Sequence, residues 1–353
     1  MENNNTMVGI PPDSEDGSDM AGKQPLIIIT GAAGFIGSAL AWRLNQAGND
    51  NLLLVDEMDH SSKWKNLVPL AYRDYMDKGD FLRAVTGGAM DGREVEAVLH
   101  MGACSSTTET DAAYLARNNF EYSKSLAEWC LDRPEPIRFI YASSAATYGD
   151  GKQGYRDDHV LLPALRPLNP YGYSKHMFDL WNLRHGHLDR AVGLKYFNVY
   201  GPNEYHKEDM RSMVVKAFGQ IREAGRVRLF KSHRPDYGDG MQLRDFLYVK
   251  DAVDMTLFFL RPDRPGGIYN VGTGRARSWL DLATALFQAM GRDPKVDFVP
   301  MPESIRDKYQ YHTKADLAKL RAAGYAAPIL SLEEGISDYV PYLENGCKNL
   351  GWA

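Results

Sequence analysis

The strongest constraint on the fold is a glycine-rich turn near the start of the sequence. The turn, TGAAGFIG at residues 30–37, follows an apolar run at 26–29 and precedes a stretch compatible with a helix. In such a turn Gly31 permits a tight bend, Gly34 lets the backbone approach a pyrophosphate, and Gly37 lets the helix pack closely on the strand. The N-terminus of a helix adds positive potential at the same point. The segment therefore predicts a phosphate-binding strand–turn–helix unit.

An acidic residue stands at the spacing that this unit needs to bind an adenosine ribose. Asp56 ends the next apolar run, 19 positions after Gly37. Because the chain contains 32 glycines, the glycine spacing alone is a weak signal, but strand, turn, helix and acid together predict a dinucleotide site. The choice between NAD and NADP stays open, because Asp56 and Glu57 disfavour a 2′-phosphate whereas His60 and Lys63 would compensate its charge.

Short apolar, β-branched runs recur along the first part of the chain. They lie at residues 52–55, 97–100, 137–142 and 192–197, with helix-compatible stretches such as 39–47 and 122–131 between several of them. Such alternation is typical of βαβ units and a parallel sheet. Later segments predict strands at 246–249, 268–271 and 295–299 and helices near 278–290, 315–323 and 332–343. The sequence thus predicts an α/β fold, a Rossmann-type doubly wound parallel sheet with a smaller C-terminal α/β substrate-binding lobe.

The predicted domain organisation follows from these segments and from the length. A chain of 353 residues suggests about two domains at roughly 150 residues each. Residues 1–24, rich in polar residues, proline and glycine, are expected to be a flexible N-terminal tail. Residues 25–202 with about 244–271 are expected to form the dinucleotide-binding Rossmann domain, and residues 203–243 with about 272–353 the substrate-binding lobe.

Composition and charge exclude several classes of function. Lysine plus arginine number 41 and aspartate plus glutamate 46, so a net charge of −5 offers no basic surplus to a nucleic-acid partner. No apolar run approaches the roughly 18–20 residues that span a bilayer, and the chain does not open on a signal-peptide pattern. We therefore expect a cytoplasmic protein without a membrane partner. Three scattered cysteines and the lack of an HExxH motif predict neither a disulfide framework nor a metal site.

A tyrosine and a lysine four residues apart indicate redox chemistry on an alcohol. Removing a hydroxyl proton as hydride leaves the carbon requires a base, and a tyrosinate serves if a lysine one helical turn away lowers its pKa from about 10. Of the 20 tyrosines, only Tyr148 and Tyr171 have such a lysine, at Lys152 and Lys175. A Gly-Asp-Gly turn follows Tyr148, whereas a helix-compatible stretch follows Tyr171. We therefore predict Tyr171 and Lys175 as the catalytic pair.

A hydroxyl that binds the reacting alcohol is expected at the end of a neighbouring strand. Residues 140–147, IYASSAAT, offer Ser143, Ser144 and Thr147. Ser144 is the best candidate of the three, and it completes the predicted catalytic set at this strand end.

Several segments together resemble a known family. The turn at 30–37, the serine-bearing strand and YGYSK at 171–175 resemble the extended short-chain dehydrogenase/reductases. Further segments narrow the resemblance, over roughly residues 26–343, to the ADP-glyceromanno-heptose 6-epimerases: DYMDK at 74–78, GACSSTTE at 102–109, SSAATYG at 143–149, and YFNVYGP at 196–202 followed by His206-Lys207. GACSSTTE is the most specific of these segments.

The resemblance implies an activity and a second base. Members of this family interconvert the D-glycero and L-glycero forms of ADP-manno-heptose at C6 for the lipopolysaccharide inner core, by hydride transfer to a tightly held nicotinamide cofactor and through a 6-keto intermediate. Because the ketone is reduced on its opposite face, one base does not serve both directions, and the resemblance assigns the second role to Lys207. From the residues alone, Lys207 is a solvated loop lysine. The resemblance also implies NADP, with NAD as the alternative, and a homo-oligomer whose family precedent is a homopentamer.

The binding residues are likewise implied by the resemblance. The cofactor contacts would be Gly31, Gly34, Phe35, Ile36, Gly37, Asp56, Glu57, Lys63, Lys78, Met101, Gly102, Ala103, Cys104, Ser105, Asn118, Lys175 and Val199. The substrate contacts would be Ser105, Ser144, Asn198, Asp209, Lys216, Phe230, Lys231, Ser232, His233, Arg244 and Tyr309. Among them, Arg244 is expected to pair with the ADP pyrophosphate. The chain departs from the family pattern at Glu208-Asp209, where Gly-Ser is expected, at Lys216, where a histidine is expected, and by an insertion around 234–241.

Three other functions stay open at this level. A nucleotide-sugar 4-epimerase on the same fold would need Tyr171 and Ser144 but not Lys207. A 4,6-dehydratase is disfavoured, because two alanines follow Ser144 where an Asp-Glu pair is expected. A dinucleotide-sensing protein without turnover would more naturally lack the pair of Tyr171 and Lys175.

Overall fold

The computed structural model describes residues 24–306 and 309–352. The predicted N-terminal tail, 1–24, therefore lies outside the described residues except for its last position. Within the described ranges, no helix is long and apolar enough to cross a membrane.

Strands and helices alternate along most of the described chain. The strands are β1 (Leu26–Thr30), β2 (Leu52–Asp56), β3 (Asp74–Asp77), β4 (Val95–His100), β5 (Arg138–Ser144), β6 (Val192–Tyr196), β7 (Asn198–Tyr200), β8 (Val227–Phe230), β9 (Leu243–Tyr248), β10 (Gly267–Val271), β11 (Ala276–Ser278) and β12 (Val296–Val299). The helices are α1 (Phe35–Gln46), α2 (Lys78–Thr86), α3 (Ala112–Leu115), α4 (Tyr122–Leu131), α5 (Pro170–Arg184), α6 (Met213–Ala224), α7 (Val249–Phe258), α8 (Trp279–Ala289), α9 (Glu303–Arg306), α10 (Ala318–Ala322) and α11 (Leu332–Glu344).

One large parallel sheet has the strand order β10-β6-β5-β4-β1-β2-β3. The interior strand β1 is buried on both faces, with Ile27 and Ile29 in one core and Leu26 and Ile28 in the other. Helices α1 and α7 contribute to the first core, and α2, α4 and α5 contribute to the second. Burial on both faces explains why these strands are continuous apolar runs in the sequence. The predicted doubly wound, Rossmann-type sheet is confirmed.

The remaining strands belong to a smaller α/β part. Strand β9 is parallel to β7 and antiparallel to β11, and β8 pairs with β12. Helices α6, α8 and α11 pack against one another beside these strands. Because β10 joins the large sheet while β9 pairs with β7, the two parts interleave along the chain. The predicted domain boundaries stay a prediction.

The sequence pattern did not show four short strands, β3, β7, β8 and β11. Each has only three or four residues and includes exposed or half-buried positions. A strand of this kind carries neither a continuous apolar run nor enough alternation to be recognised. The helix predicted at 315–323 is present but shorter, as Ala318–Ala322.

Candidate active site

The glycine turn connects β1 to α1, next to the point where the strand order reverses between β1 and β4. Gly31 has a φ of +66°, and a Cβ there would lie 2.7 Å from the Cα of Gly102. A Cβ on Gly37 would lie 2.1 Å from the Gly31 carbonyl oxygen. The N-cap of α1 is Gly34, so no side chain caps this helix. The result is a glycine-lined helix N-terminus of the kind that binds phosphate groups.

The turn also holds Asp56 at the end of β2. The Ala33 N–H donates to Asp56 Oδ2 at 2.8 Å, and the Glu57 N–H donates to Asp56 Oδ1 at 2.7 Å. Lys63 Nζ lies 3.1 Å from Asp56 Oδ1 and 3.1 Å from Asp59 Oδ2. Although burial opposes it, the two carboxylates raise the pKa of Lys63. The lysine therefore stays charged beside the turn.

A cleft of about 450 Å³, here called the cofactor cleft, opens at this turn. Most of the residues predicted to bind the cofactor form its wall. At one side Lys78 Nζ lies 2.5 Å from Glu57 Oε2 and donates to Asn118 Oδ1 at 3.1 Å. Asn118 belongs to a π-helical stretch, Ala116–Glu121, an irregularity that often accompanies functional sites. The glycine cradle, the carboxylate of β2 and the basic side chains together fit a dinucleotide.

A second cavity of about 820 Å³, here called the substrate cavity, adjoins the cofactor cleft. The two share wall residues, among them Phe35, Met101 and Lys207. Lys175 and Val199, predicted to bind the cofactor, line the substrate cavity rather than the cleft. The structure brings the four predicted catalytic residues to this one cavity: Ser144, Tyr171, Lys175 and Lys207.

The structure divides the predicted substrate residues into two sets. Those that line the substrate cavity are Ser105, Ser144, Asn198, Lys216, Phe230 and Tyr309. Those outside its wall are Asp209, Lys231, Ser232, His233 and Arg244. Arg244 is buried behind the wall, with its guanidinium 5.6 Å from the Trp279 ring centre and 5.0 Å from that of Tyr309. Its pairing with a pyrophosphate stays a prediction.

Helix α5 carries Tyr171 and Lys175 one turn apart. A Cβ on Gly172 would lie 2.8 Å from the carbonyl oxygen of Ala146, so glycine allows α5 to approach the turn after β5. Lys175 Nζ donates to the Ala142 carbonyl oxygen of β5 at 2.8 Å. The close approach explains why the Tyr-Lys pair of α5 and the serine that ends β5 lie together.

The alternative pair is separated in space. Tyr148 is buried and donates its hydroxyl to Asn270 Oδ1 at 2.7 Å. Lys152 is exposed and lies 2.7 Å from Asp150 Oδ2. The glycine-containing turn between the two residues thus places the phenol in a core and the ammonium in solvent.

Burial dominates the pKa values of the predicted catalytic groups. It raises the pKa of the Tyr171 phenol, although a hydrogen bond with Ser144 lowers it. It lowers the pKa of Lys175 to about 8, against the opposing effect of the Asp179 charge. The expectation that Lys175 lowers the pKa of Tyr171 stays a prediction; in this structure the loss of solvent around the phenol outweighs its hydrogen bond with Ser144.

Lys207 lies on the connection between β7 and α6 and is half-buried. Its Nζ is 5.5 Å from the centre of the Phe35 ring. Burial lowers its pKa, and the nearby charge of Glu204 opposes that effect. The interpretation of Lys207 as a solvated loop lysine is wrong. The side chain lies where the cofactor cleft and the substrate cavity meet.

Sequence analysis missed a buried ion pair behind the catalytic residues. Asp179 and Lys195 are both fully buried, with Lys195 Nζ 2.6 Å from Asp179 Oδ2. The Ser143 hydroxyl donates to Asp179 at 2.8 Å, and the Tyr141 hydroxyl donates to it at 3.0 Å. A signal was available, because Asp179 follows Lys175 by one helical turn, and a lysine inside an apolar strand requires a partner.

The doubly wound sheet, the glycine-cradled cleft and the adjoining cavity with its Tyr-Lys pair define a Rossmann-fold enzyme that uses a nicotinamide dinucleotide. Comparison with known proteins specifies the family. Residues 27–272 match the NAD dependent epimerase/dehydratase family, and the chain belongs to it.

Relatives of this chain carry one name in several bacteria. Over 315 residues, 89% of this chain and 97% of the relative, it is 51% identical to the ADP-L-glycero-D-manno-heptose-6-epimerase of Nitratidesulfovibrio vulgaris. It is 48% identical to the Fusobacterium nucleatum protein of the same name, again over 89% of this chain and 97% of the relative. The crystal structure of the Helicobacter pylori protein of that name superposes with a TM-score of 0.75 at 28% identity, covering 91% of this chain and 96% of the other. The resemblance to the heptose epimerases is confirmed.

Proposed function

We propose that this protein interconverts ADP-D-glycero-D-manno-heptose and ADP-L-glycero-D-manno-heptose at C6. The observation that carries the proposal is the junction of the cofactor cleft and the substrate cavity. There Tyr171 and Lys207, from different elements of the fold, both line the cavity that contains Ser144 and Lys175. When bound, a nicotinamide dinucleotide supplies the acceptor and donor of the hydride exchanged with C6.

Two bases suit an epimerisation at a carbon that is not acidic. Direct deprotonation of C6 is difficult, whereas oxidation of its hydroxyl makes a planar ketone that can be reduced on either face. The oxygen of the two epimers then points in different directions, so a proton must be held at two places. Tyr171 on α5 serves one epimer, and Lys207 on the loop before α6 serves the other.

Basic side chains in the substrate cavity support a substrate that carries an anionic nucleoside diphosphate group. Arg211, Lys216 and Arg228 line the cavity in a chain whose net charge is −5. Positive side chains concentrated in one cavity of an acidic protein attract and orient a pyrophosphate. Arg211 and Arg228 were not singled out in the sequence, because nothing in their immediate sequence marks them.

We propose NADP as the cofactor, with NAD as the alternative. Both carboxylate oxygens of Asp56 already accept hydrogen bonds within the protein, which weakens the argument that this acid selects for a free 2′-hydroxyl. Lys63 and Lys78 line the wall of the cofactor cleft beside the carboxylates that they pair with, and they supply the cations that a 2′-phosphate requires. Mass spectrometry of the dinucleotide released on denaturing the purified protein distinguishes the two. Release of NAD alone would contradict the choice of NADP.

A cytoplasmic location and a homo-oligomer, with the pentamer as precedent, complete the proposal. Light scattering on the purified protein measures the oligomeric state directly.

The activity is tested by adding ADP-D-glycero-D-manno-heptose to the purified protein in deuterated buffer. Proton NMR is expected to show the L-glycero epimer without deuterium at C6, because hydride returns to the carbon from which it came. Deuterium at C6 would contradict the hydride route. No conversion by protein shown to contain a dinucleotide would contradict the proposed substrate and favour another nucleotide sugar.

A further inference from the structure

A buried carboxylate holds the loop that carries Lys207. This segment, residues 201–212, is here called the Lys207 loop. Glu204 is 1% exposed, and its Oε1 accepts hydrogen bonds from the Gly201 N–H at 3.0 Å and the Ser212 hydroxyl at 2.8 Å. Its Oε2 accepts the Ser212 N–H. One side chain therefore joins the first and the last residue of the loop.

Glu204 also connects the loop to the C-terminal helix. The Tyr339 hydroxyl of α11 donates to Glu204 Oε1 at 3.2 Å. Within the loop, the Lys207 N–H donates to the Glu204 carbonyl oxygen at 3.1 Å. The side chain of Glu204 closes the loop, and its backbone begins the turn on which Lys207 stands.

The backbone of the loop needs such a restraint. Asn203 and Glu208 have positive φ values of 79° and 45°, a region that few non-glycine residues adopt and that suits Asn better than Glu. Asn203 is held from outside the loop, because it donates to Ser38 Oγ at 2.9 Å and accepts from the Leu350 N–H at 2.7 Å. On the far side of Lys207, the bonds from Ser212 to Glu204 perform the same task.

We propose that Glu204 is a positioning residue that fixes the Lys207 ammonium at the junction of the cofactor cleft and the substrate cavity. The inference rests on the two-base reaction proposed above and deepens it. Glu204 acts through the loop and not on the reacting atoms, since its partners named here lie on the loop and on α11. The Tyr171 side of the site, on α5 and β5, is built independently of it.

Electrostatics agree with this role. Burial raises the pKa of the Glu204 carboxyl, but the donors from Ser212 and Gly201 and the charge of Lys207 all act to keep it ionised. The same charge opposes the lowering of the Lys207 pKa by burial. The carboxylate thus makes it less costly to bury an amine at this place.

The first variant is Glu204→Gln, which preserves shape but removes the charge and replaces one acceptor by a donor. A matched control is Asp245→Asn, since Asp245 is also fully buried and accepts the N–H groups of Thr273 at 2.7 Å, Gly274 at 2.9 Å and Ala315 at 2.9 Å. Hydrogen–deuterium exchange is followed in peptides that cover residues 201–212. We expect faster exchange there for Glu204→Gln and unchanged exchange there for Asp245→Asn.

A double-mutant cycle asks whether Glu204 acts through Lys207. In the wild-type background, Glu204→Gln is expected to lower kcat between about ten- and a hundredfold, with KM changed less than about threefold, because a misplaced catalytic group costs rate rather than binding. In a Lys207→Met background, the same substitution is expected to change the residual kcat by less than about twofold. A merely structural effect would lower kcat by the same factor in both backgrounds.

The outcomes separate this inference from the proposed function. Unchanged exchange of residues 201–212 in Glu204→Gln, or equal losses of kcat in both backgrounds, would overturn the positioning role while leaving the epimerase function intact. Faster local exchange in a protein that does not convert the heptose would support the anchoring of the loop and contradict the proposed function.

Discussion

The two sides of the substrate cavity are constructed in opposite ways. Tyr171 stands in the first turn of α5, a regular helix packed on β5, whereas Lys207 stands on a loop that contains two non-glycine residues with positive φ. Behind Tyr171 lies a fully buried ion pair of Asp179 and Lys195. Behind Lys207 lies the single carboxylate of Glu204, which joins the ends of the loop.

This difference shows two ways in which one fold can place a side chain at a cavity wall. A helix places a side chain through its own backbone hydrogen bonds, so the Tyr171 side needs few special contacts. The Lys207 loop has only short 3-10 turns at Tyr205–Met210, interrupted at Glu208, so individual side chains must impose more of its geometry. The Lys207 side should therefore be the more easily disturbed of the two.

The largest effect is expected for Tyr171→Phe, which removes the phenol hydroxyl from the α5 side of the cavity. The ring keeps its packing while the proton carrier is lost, so kcat should fall by about 10²–10⁴-fold. Bound dinucleotide, measured by absorbance after denaturation, should stay at the wild-type level. Turnover close to that of the wild type would refute the assignment of Tyr171.

A loss of similar or smaller size is expected for Lys207→Ala, which removes the base from the loop side. If two bases are needed, kcat for heptose epimerisation should fall by about 10²-fold or more. A one-base mechanism, as in a 4-epimerase, predicts little change. Lys152→Ala is the control, because Lys152 is exposed and does not line the cavity. If Lys207→Ala kept its activity, only the Tyr171 side of the cavity would take part in the proton transfers.

On the Tyr171 side of the cavity, Asp179→Asn tests how much the buried ion pair stabilises the fold rather than any catalytic step. Removing the charge leaves the fully buried Lys195 without its charged partner, and the free energy of unfolding should fall by about 3–5 kcal/mol. The control is Asp254→Asn, which breaks an exposed pair with Arg43 at 2.8 Å and should cost less than about 1 kcal/mol. Chemical denaturation measures both. Equal losses would contradict the special importance of the buried pair.

The smallest effect is expected for Glu208→Gly on the loop side. Glu208 has a φ of 45° and a ψ of −119°, a conformation that suits glycine and not a residue with a Cβ. Glycine relieves this strain in the folded state, although its greater freedom in the unfolded chain opposes the gain. The net effect should stabilise the protein by about 1 kcal/mol. The neighbour Asp209, whose φ is not positive, is the control, and Asp209→Gly should destabilise it. If both substitutions destabilised the protein, the claim that the backbone at Glu208 is strained would be contradicted.

The predicted cofactor residues show how far sequence reasoning reaches when determinants are local. The turn at 30–37 is contiguous, and Gly31 and Gly37 have the bend and the close packing that their spacing predicts. Asp56 and Lys63 lie close to that turn because a βαβ unit brings the end of β2 beside it. Periodicity and spacing therefore sufficed for the large sheet except its edge strand β3, for the glycine turn with Asp56, and for the helix that carries Tyr171.

Other features of the site depend on residues distant in the sequence. The burial of Lys207 depends on Phe35 and on Glu204, whose own partners include Tyr339. The burial that raises the pKa of the Tyr171 phenol is likewise visible only in the packed structure. The short strands β7 and β11 also escaped detection, since they form only by pairing with β9.

The sequence by itself determined the class of fold, the dinucleotide-binding turn and the Tyr-Lys pair, because each is written in adjacent residues whose spacing matches a backbone repeat. Only the tertiary structure decided that Lys207 faces the same cavity, that Glu204 holds its loop, and that Asp179 meets Lys195. Burial and charge pairing are properties of the assembled chain, and they arise where segments far apart in sequence are packed together.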